Sequence, residues 1–146
     1  MWQKKDMTKS YKKGDVIVKE GEPGKEMFII QSGSVDVIRE NGDKKIIFNS
    51  LERGDFFGEM ALLEQAPRSA TVIAREDTRL MVLNIGNFLI KIRRDPTFAF
   101  NIMQKMSKRI RILGDRLLSQ TDVQELESTE LGLAIAESEY TKPSDS

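Results

Sequence analysis

The chain has 146 residues, with 23 basic against 23 acidic side chains and neither cysteine nor histidine. That length suits one domain able to bury a core without staples. The missing cysteines exclude disulfides, thiolate nucleophiles, iron–sulfur clusters and cysteine zinc sites, and the balanced charge supplies no global field toward nucleic acid or an anionic membrane.

Residues 1–13 are Lys-rich and weakly patterned. They read as a solvated lead-in with Trp2 and Tyr11 tucked against the domain, or alternatively as a basic binding arm. The start has charge but no apolar signal-peptide core, and no apolar run is long enough to span a bilayer, so a soluble cytoplasmic chain without a membrane partner is expected.

From Gly14 to Leu83 short β-type runs alternate with turn residues. Strands are predicted at Val16–Val18, Met27–Ile30, Val35–Ile38, Lys45–Phe48, Thr71–Ala74 and Leu80–Leu83. Asn41-Gly42 between two alternating runs is a hairpin signal. Gly24, Gly33, Gly42 and Gly54 read as turn positions needing positive backbone angles. Many short strands spaced by glycine turns predict a mainly β fold, an antiparallel sandwich or barrel.

Inside this region FGEMALLEQAPRSATV, residues 57–72, mixes a glycine, an acid, a proline, an arginine and a small hydroxyl within an apolar run. Gly58 permits a backbone angle closed to other residues and close approach of a ligand. Glu59 to Leu63 is predicted as a helical turn whose first N–H groups, near Met60 and Ala61, suit a phosphate. Arg68 supplies a fork for two phosphate oxygens, presented by a turn that Pro67 stiffens, and Ser69 and the Ala70 N–H add donors. An acid beside a phosphate would repel it, so Glu59 is read as facing a neutral hydroxyl such as that of a ribose. The bland alternative is a strand, a turn and a strand with one surface ion pair.

Residues 84–94 carry Ile85, Phe88, Leu89 and Ile92 at helical spacing and are predicted as a short helix on the β fold. Asp95-Pro96 closes it and opens a second helix to about Gln120, with Asp95 as N-cap and Pro96 at the tolerated first position. In that helix Met103, Met106, Ile110, Leu113 and Leu117 repeat at steps of three and four, the seam of a short coiled coil, which predicts a homodimer through 96–120. Packing of the seam on the chain's own β fold is the alternative. Residues 121–146 turn acidic and end polar, and read as a partly disordered tail.

The 57–72 run resembles the phosphate-binding cassette of the cyclic nucleotide-binding domain, whose pattern is roughly F-G-E-x-A-L, a short spacer, then P-R-S/T-A-T-V. The resemblance implies an antiparallel β-roll (14–83) with a short cassette helix and C-terminal lid and dimer helices (84–120). It also implies that Glu59 holds the ribose 2′-hydroxyl, that Arg68 neutralises the cyclic phosphate, and that Val37 and Phe57 flank the base. Relatives that sense gas or redox state use His or Cys ligands, which are absent here. In channel relatives an Arg of the last helix lies over the purine, and the equivalent position is Arg109; a solvated charge among Lys105, Lys108, Arg111 and Arg116 is the alternative reading. Catabolite-activator relatives have a Thr-Ser pair where this chain has Leu113-Gly114, so their way of reading adenine does not transfer.

The reading that follows is a stand-alone, non-catalytic regulatory domain with no metal or other cofactor. It binds a cyclic nucleotide, cAMP in preference to cGMP because Ser69 stands where a Thr is associated with cGMP. Capture of the ligand moves the C-terminal helix. Residues 121–146 are too few for a helix-turn-helix module, so no direct nucleic-acid binding is expected, and the downstream protein is left unnamed. The alternatives are a ligand-independent dimeric adaptor on the same fold and a fragment of a cyclic nucleotide-responsive transcription regulator.

Overall fold

The computed structural model describes residues 7–120. They form eight strands and three helices: β1 (Thr8–Tyr11), β2 (Val16–Val18), β3 (Met27–Ser32), β4 (Ser34–Asn41), β5 (Lys44–Glu52), β6 (Phe56–Phe57), α1 (Glu59–Glu64), β7 (Thr71–Ala74), β8 (Thr78–Leu83), α2 (Ile85–Arg94) and α3 (Pro96–Gln120). The acidic tail foreseen at 121–146, like Trp2, lies outside the described residues.

The strands make two four-stranded sheets, ordered β1-β8-β3-β6 and β2-β7-β4-β5, with antiparallel pairing throughout. Alternation drives this arrangement, since successive side chains of a strand point to opposite faces. Phe28, Ile30, Leu80, Val82 and Phe57 from the first sheet meet Val35, Leu51 and Val72 from the second in one buried cluster. The opposite parity of the first sheet is buried as well, at Met27, Phe56, Met81 and Leu83. α1 packs on β3 and α2 on β8, and Phe88 is the residue that α2 buries. This is the mainly antiparallel β-roll with helices that the sequence predicts.

Two strands were not foreseen. Thr8–Tyr11, placed by the sequence in the lead-in, is β1 and pairs along its whole length with Thr78–Met81. The roll therefore begins at Thr8 rather than Gly14. The segment hides from pattern reading because it is a sheet edge whose Lys9 and Ser10 stay exposed. β6 has only two residues, and both belong to an apolar run too short to show a period. β5 extends past the predicted Phe48 because a bulge between Ile47 and Asn49 leaves Phe48 without a partner and breaks the alternation.

The hairpin signal is met: Asn41 pairs with Lys44 around Gly42-Asp43, and Gly42 has φ 68° while Asp43 does not share the sign, as in a II′ turn. Gly33 and Gly54 also have positive φ. Gly24 does not, and the reason for glycine there is steric.

α2 ends where Asp95 begins a new helix. The Asp95 carboxylate accepts from the Phe98 N–H at 3.3 Å, the N-cap predicted from the Asp-Pro pair. Asp95→Ala is expected to cost about 1 kcal/mol of stability, checked by denaturant unfolding. The chain divides after Arg94 into two units, the first holding the roll with α2 and the second holding α3. On α3 the seam residues Met103, Ile110 and Leu113 are exposed.

Candidate anion site at the cassette

The cassette is anchored by main-chain bonds to the loop between β2 and β3. Arg68 N–H donates to the Glu22 carbonyl at 2.9 Å and Gly21 N–H donates to the Arg68 carbonyl at 2.8 Å. These two bonds bring residues 21–26 alongside Arg68.

Arg68 is 8% exposed, so its cation has been taken out of water. Its Nη1 donates to the Glu26 carbonyl at 2.7 Å, and the guanidinium carbon lies 5.4 Å from the centre of the Phe28 ring. Phe28 in turn stacks on Phe57, with centroids 4.9 Å apart and planes 16° from parallel. The guanidinium thus contacts one ring of a stacked aromatic pair that belongs to the core. Burial lowers its affinity for the proton, and the field of Glu26 acts in the opposite sense. Among the described residues Arg68 makes that one side-chain hydrogen bond. A desolvated guanidinium held by a neutral carbonyl and an aromatic face, with Glu26 as the carboxylate that acts on it, keeps the donor geometry to take an anion.

Two glycines make the space. A Cβ on Gly24 would stand against Nε, Cζ and Nη2 of Arg68. A Cβ on Gly58 would lie 2.8 Å from Nη1 and 3.0 Å from the Glu26 carbonyl oxygen. Gly58 also has φ 84° and caps α1, so it serves both roles foreseen for it. The role of Gly24 was not foreseen, because nothing local to its sequence marks a contact with a residue so far along the chain.

α1 runs from Glu59, with Ala61 and Leu62 buried and Met60 exposed. Its first internal bond is donated by Leu62 to the Gly58 carbonyl, which leaves the Met60 and Ala61 N–H groups outside the helical ladder. The helix stops at Gln65, whose φ is 55° and whose N–H turns back to the Met60 carbonyl. Glu59 is half-buried at the start of the helix, and Ser69 is exposed beside the buried Ala70.

Glycines, helix start and arginine are therefore assembled at one place, with Glu59 beginning the helix. The residues expected around a base are differently disposed. Val37 is half-buried against the core cluster, and Phe57 is 5% exposed with its ring engaged by Phe28. Arg109 is half-buried on α3, in the second unit.

A desolvated arginine stands beside a glycine-capped helix start on an antiparallel roll, eight-stranded among the described residues. The model of the cyclic nucleotide-binding domain matches residues 8–95, more than half of the chain, and the chain belongs to that family. The chain is 40% identical over 81 residues to a cAMP-dependent protein kinase regulatory subunit of Hypocrea atroviridis, covering 56% of this chain and 17% of that protein. It is 35% identical over 102 residues to the cyclic AMP receptor protein of Thermus thermophilus, covering 69% of this chain and 47% of that protein. Among solved structures, the catabolite activator protein of Thermus thermophilus superposes with a TM-score of 0.70 at 32% identity, over 82% of this chain and 55% of that one. The chain thus spans about half or less of the length of these curated relatives. Among the described residues no helix is long and apolar enough to cross a membrane.

Proposed function

We propose that the domain binds cAMP and passes its capture on as movement of the C-terminal helical segment, acting as a cytoplasmic, non-catalytic regulator. The observation that carries this reading is Arg68: a guanidinium taken out of water, bonded to one carbonyl, in a space kept open by Gly24 and Gly58. A cyclic phosphate supplies the missing charge. Arg68 and Ser69 take phosphate oxygens, assisted by N–H groups at Met60, Ala61 and Ala70, while Glu59 accepts from the ribose 2′-hydroxyl.

Preference for cAMP over cGMP rests on Ser69 in place of Thr. Arg109 is the candidate to close over the base, and the helix responds only as far as the ligand favours its ligand-bound position. A homodimer through the exposed Met103, Ile110 and Leu113 of α3 is part of the same proposal.

Calorimetric titration with cAMP and cGMP tests it. Saturable binding of cAMP in preference to cGMP is expected. Glu59→Ala should weaken cAMP by about tenfold, the value of one hydrogen bond to a charged group. No heat and no thermal shift with either nucleotide would sink the reading and favour the adaptor.

A further inference from the structure

The glutamate that begins β3's approach to the site has no part in the cassette pattern. Glu26 lends its carbonyl to Arg68 Nη1 at 2.7 Å, and the same oxygen would lie 3.0 Å from a Cβ placed on Gly58. Its residue therefore sits at the junction of the two features that would hold a phosphate. Glu26 is half-buried, while the neighbouring Lys25 is exposed.

We propose that Glu26 is a specificity-determining residue that sets the charge the site accepts, favouring a singly charged phosphodiester over a doubly charged phosphomonoester. The inference rests on the reading of the site as a cyclic nucleotide site. A cyclic phosphate carries one negative charge, which the Arg68 guanidinium matches. Hydrolysis of one of its two ester bonds gives a monoester whose second proton is lost near pH 6, so at neutral pH it carries close to two. Arg68 is one cation, and it is bonded to the main-chain carbonyl of Glu26, whose side chain carries a negative charge.

The field of Glu26 does reach this part of the molecule. It acts on Arg68 in the sense that favours the charged guanidinium, and it raises the proton affinity of the Tyr11 hydroxyl, second there to burial and ahead of Asp15. A fixed carboxylate repels a ligand in proportion to the ligand's charge. The second charge of a monoester is therefore opposed with no second cation to match it among the groups in contact with Arg68. The device would let a sensor ignore the product of the reaction class that ends its signal.

The proportionality gives a quantitative test. cAMP, 5′-AMP and the 5′-methyl phosphodiester of adenosine are titrated at pH 7.5 into the full chain and into Glu26→Gln, an almost isosteric change at a half-buried position. A coupling within the range of partly exposed pairs predicts that cAMP tightens by about threefold and 5′-AMP by about ninefold. The methyl diester, an open-chain monoanion, should follow cAMP rather than 5′-AMP. Equal changes for all three ligands, or no change in the 5′-AMP to cAMP ratio, overturn the filter while leaving the cyclic nucleotide reading intact. Failure of the unsubstituted chain to bind cAMP at all overturns both.

Discussion

Replacing Arg68 by alanine is expected to weaken cAMP binding by about a hundredfold or more while changing the stability of the ligand-free protein little. Truncating one partner of a buried charge pair costs on the order of 2–5 kcal/mol, much of it from the charge left behind. In the ligand-free chain Arg68 is itself a desolvated charge, 8% exposed and hydrogen-bonded to a single carbonyl, with Glu26 offsetting part of that cost. Losing it gives up a cation–π contact with Phe28 and leaves a void, but also removes the cost of desolvating a guanidinium. The two effects oppose each other. Calorimetric titration and thermal unfolding with and without cAMP check the result together. Unchanged affinity would remove Arg68 from the site, and a collapse in ligand-free stability would make it a structural residue. Arg68→Lys should recover little, because an ammonium cannot present a planar fork or stack on Phe28 in the same way.

The second large effect separates the two glycines. Gly24→Ala meets no positive-φ penalty, and the three atoms nearest to its methyl group all belong to the Arg68 guanidinium. Overpacking of this kind costs on the order of 1–3 kcal/mol. Here the guanidinium moves rather than the fold, so cAMP should weaken by about thirtyfold with the melting temperature nearly unchanged. Gly58→Ala differs. At φ 84° the substituted residue is strained by about 1–2 kcal/mol, and its Cβ meets the Glu26 carbonyl oxygen as well as Arg68. It should lose affinity and also lower the melting temperature by roughly 5 °C or more. Scanning calorimetry beside titration reads both. If the two variants behave alike, Arg68 is not the group that these glycines accommodate.

The contrast between these glycines shows where sequence reading stopped. Gly58, Glu59 and Arg68 stood in one continuous run, so spacing alone placed them together, and the long strands showed themselves by alternation. The Asp95-Pro96 helix start was legible for the same reason: its cap bond spans three residues. Gly24, Glu26 and Phe28 were invisible as site residues because what joins them to Arg68 is the pairing of Gly21 and Glu22 with its backbone. Chain-local patterns carry no trace of such pairing. Gly24 was consequently read as a turn when it is a clearance. Phe57, expected beside the base, stacks on Phe28, a neighbour that hydrophobicity in a strand does not reveal. β1 failed for want of contrast: an edge strand with exposed Lys9 and Ser10 shows no apolar stripe.

β5 has a consequence for how the protein behaves in concentrated solution. It ends one sheet, and part of it is blunted: the Ser50 N–H is taken by the Asn49 side chain and the Glu52 N–H by Asp55, while the bulge throws Phe48 out of step. The stretch from Lys44 to Ile47 has Ile46 and Ile47 exposed at 46% and 61%. Lys44 and Lys45, the second with Glu40 opposite it in the register, are the basic groups on this stretch that would oppose addition of a neighbouring copy's strand. Their repulsion is screened by salt. Colloidal stability is therefore expected to depend on ionic strength through a patch outside the cassette, and a buffer chosen to weaken phosphate binding by screening is expected to lower the barrier to edge-on association as well.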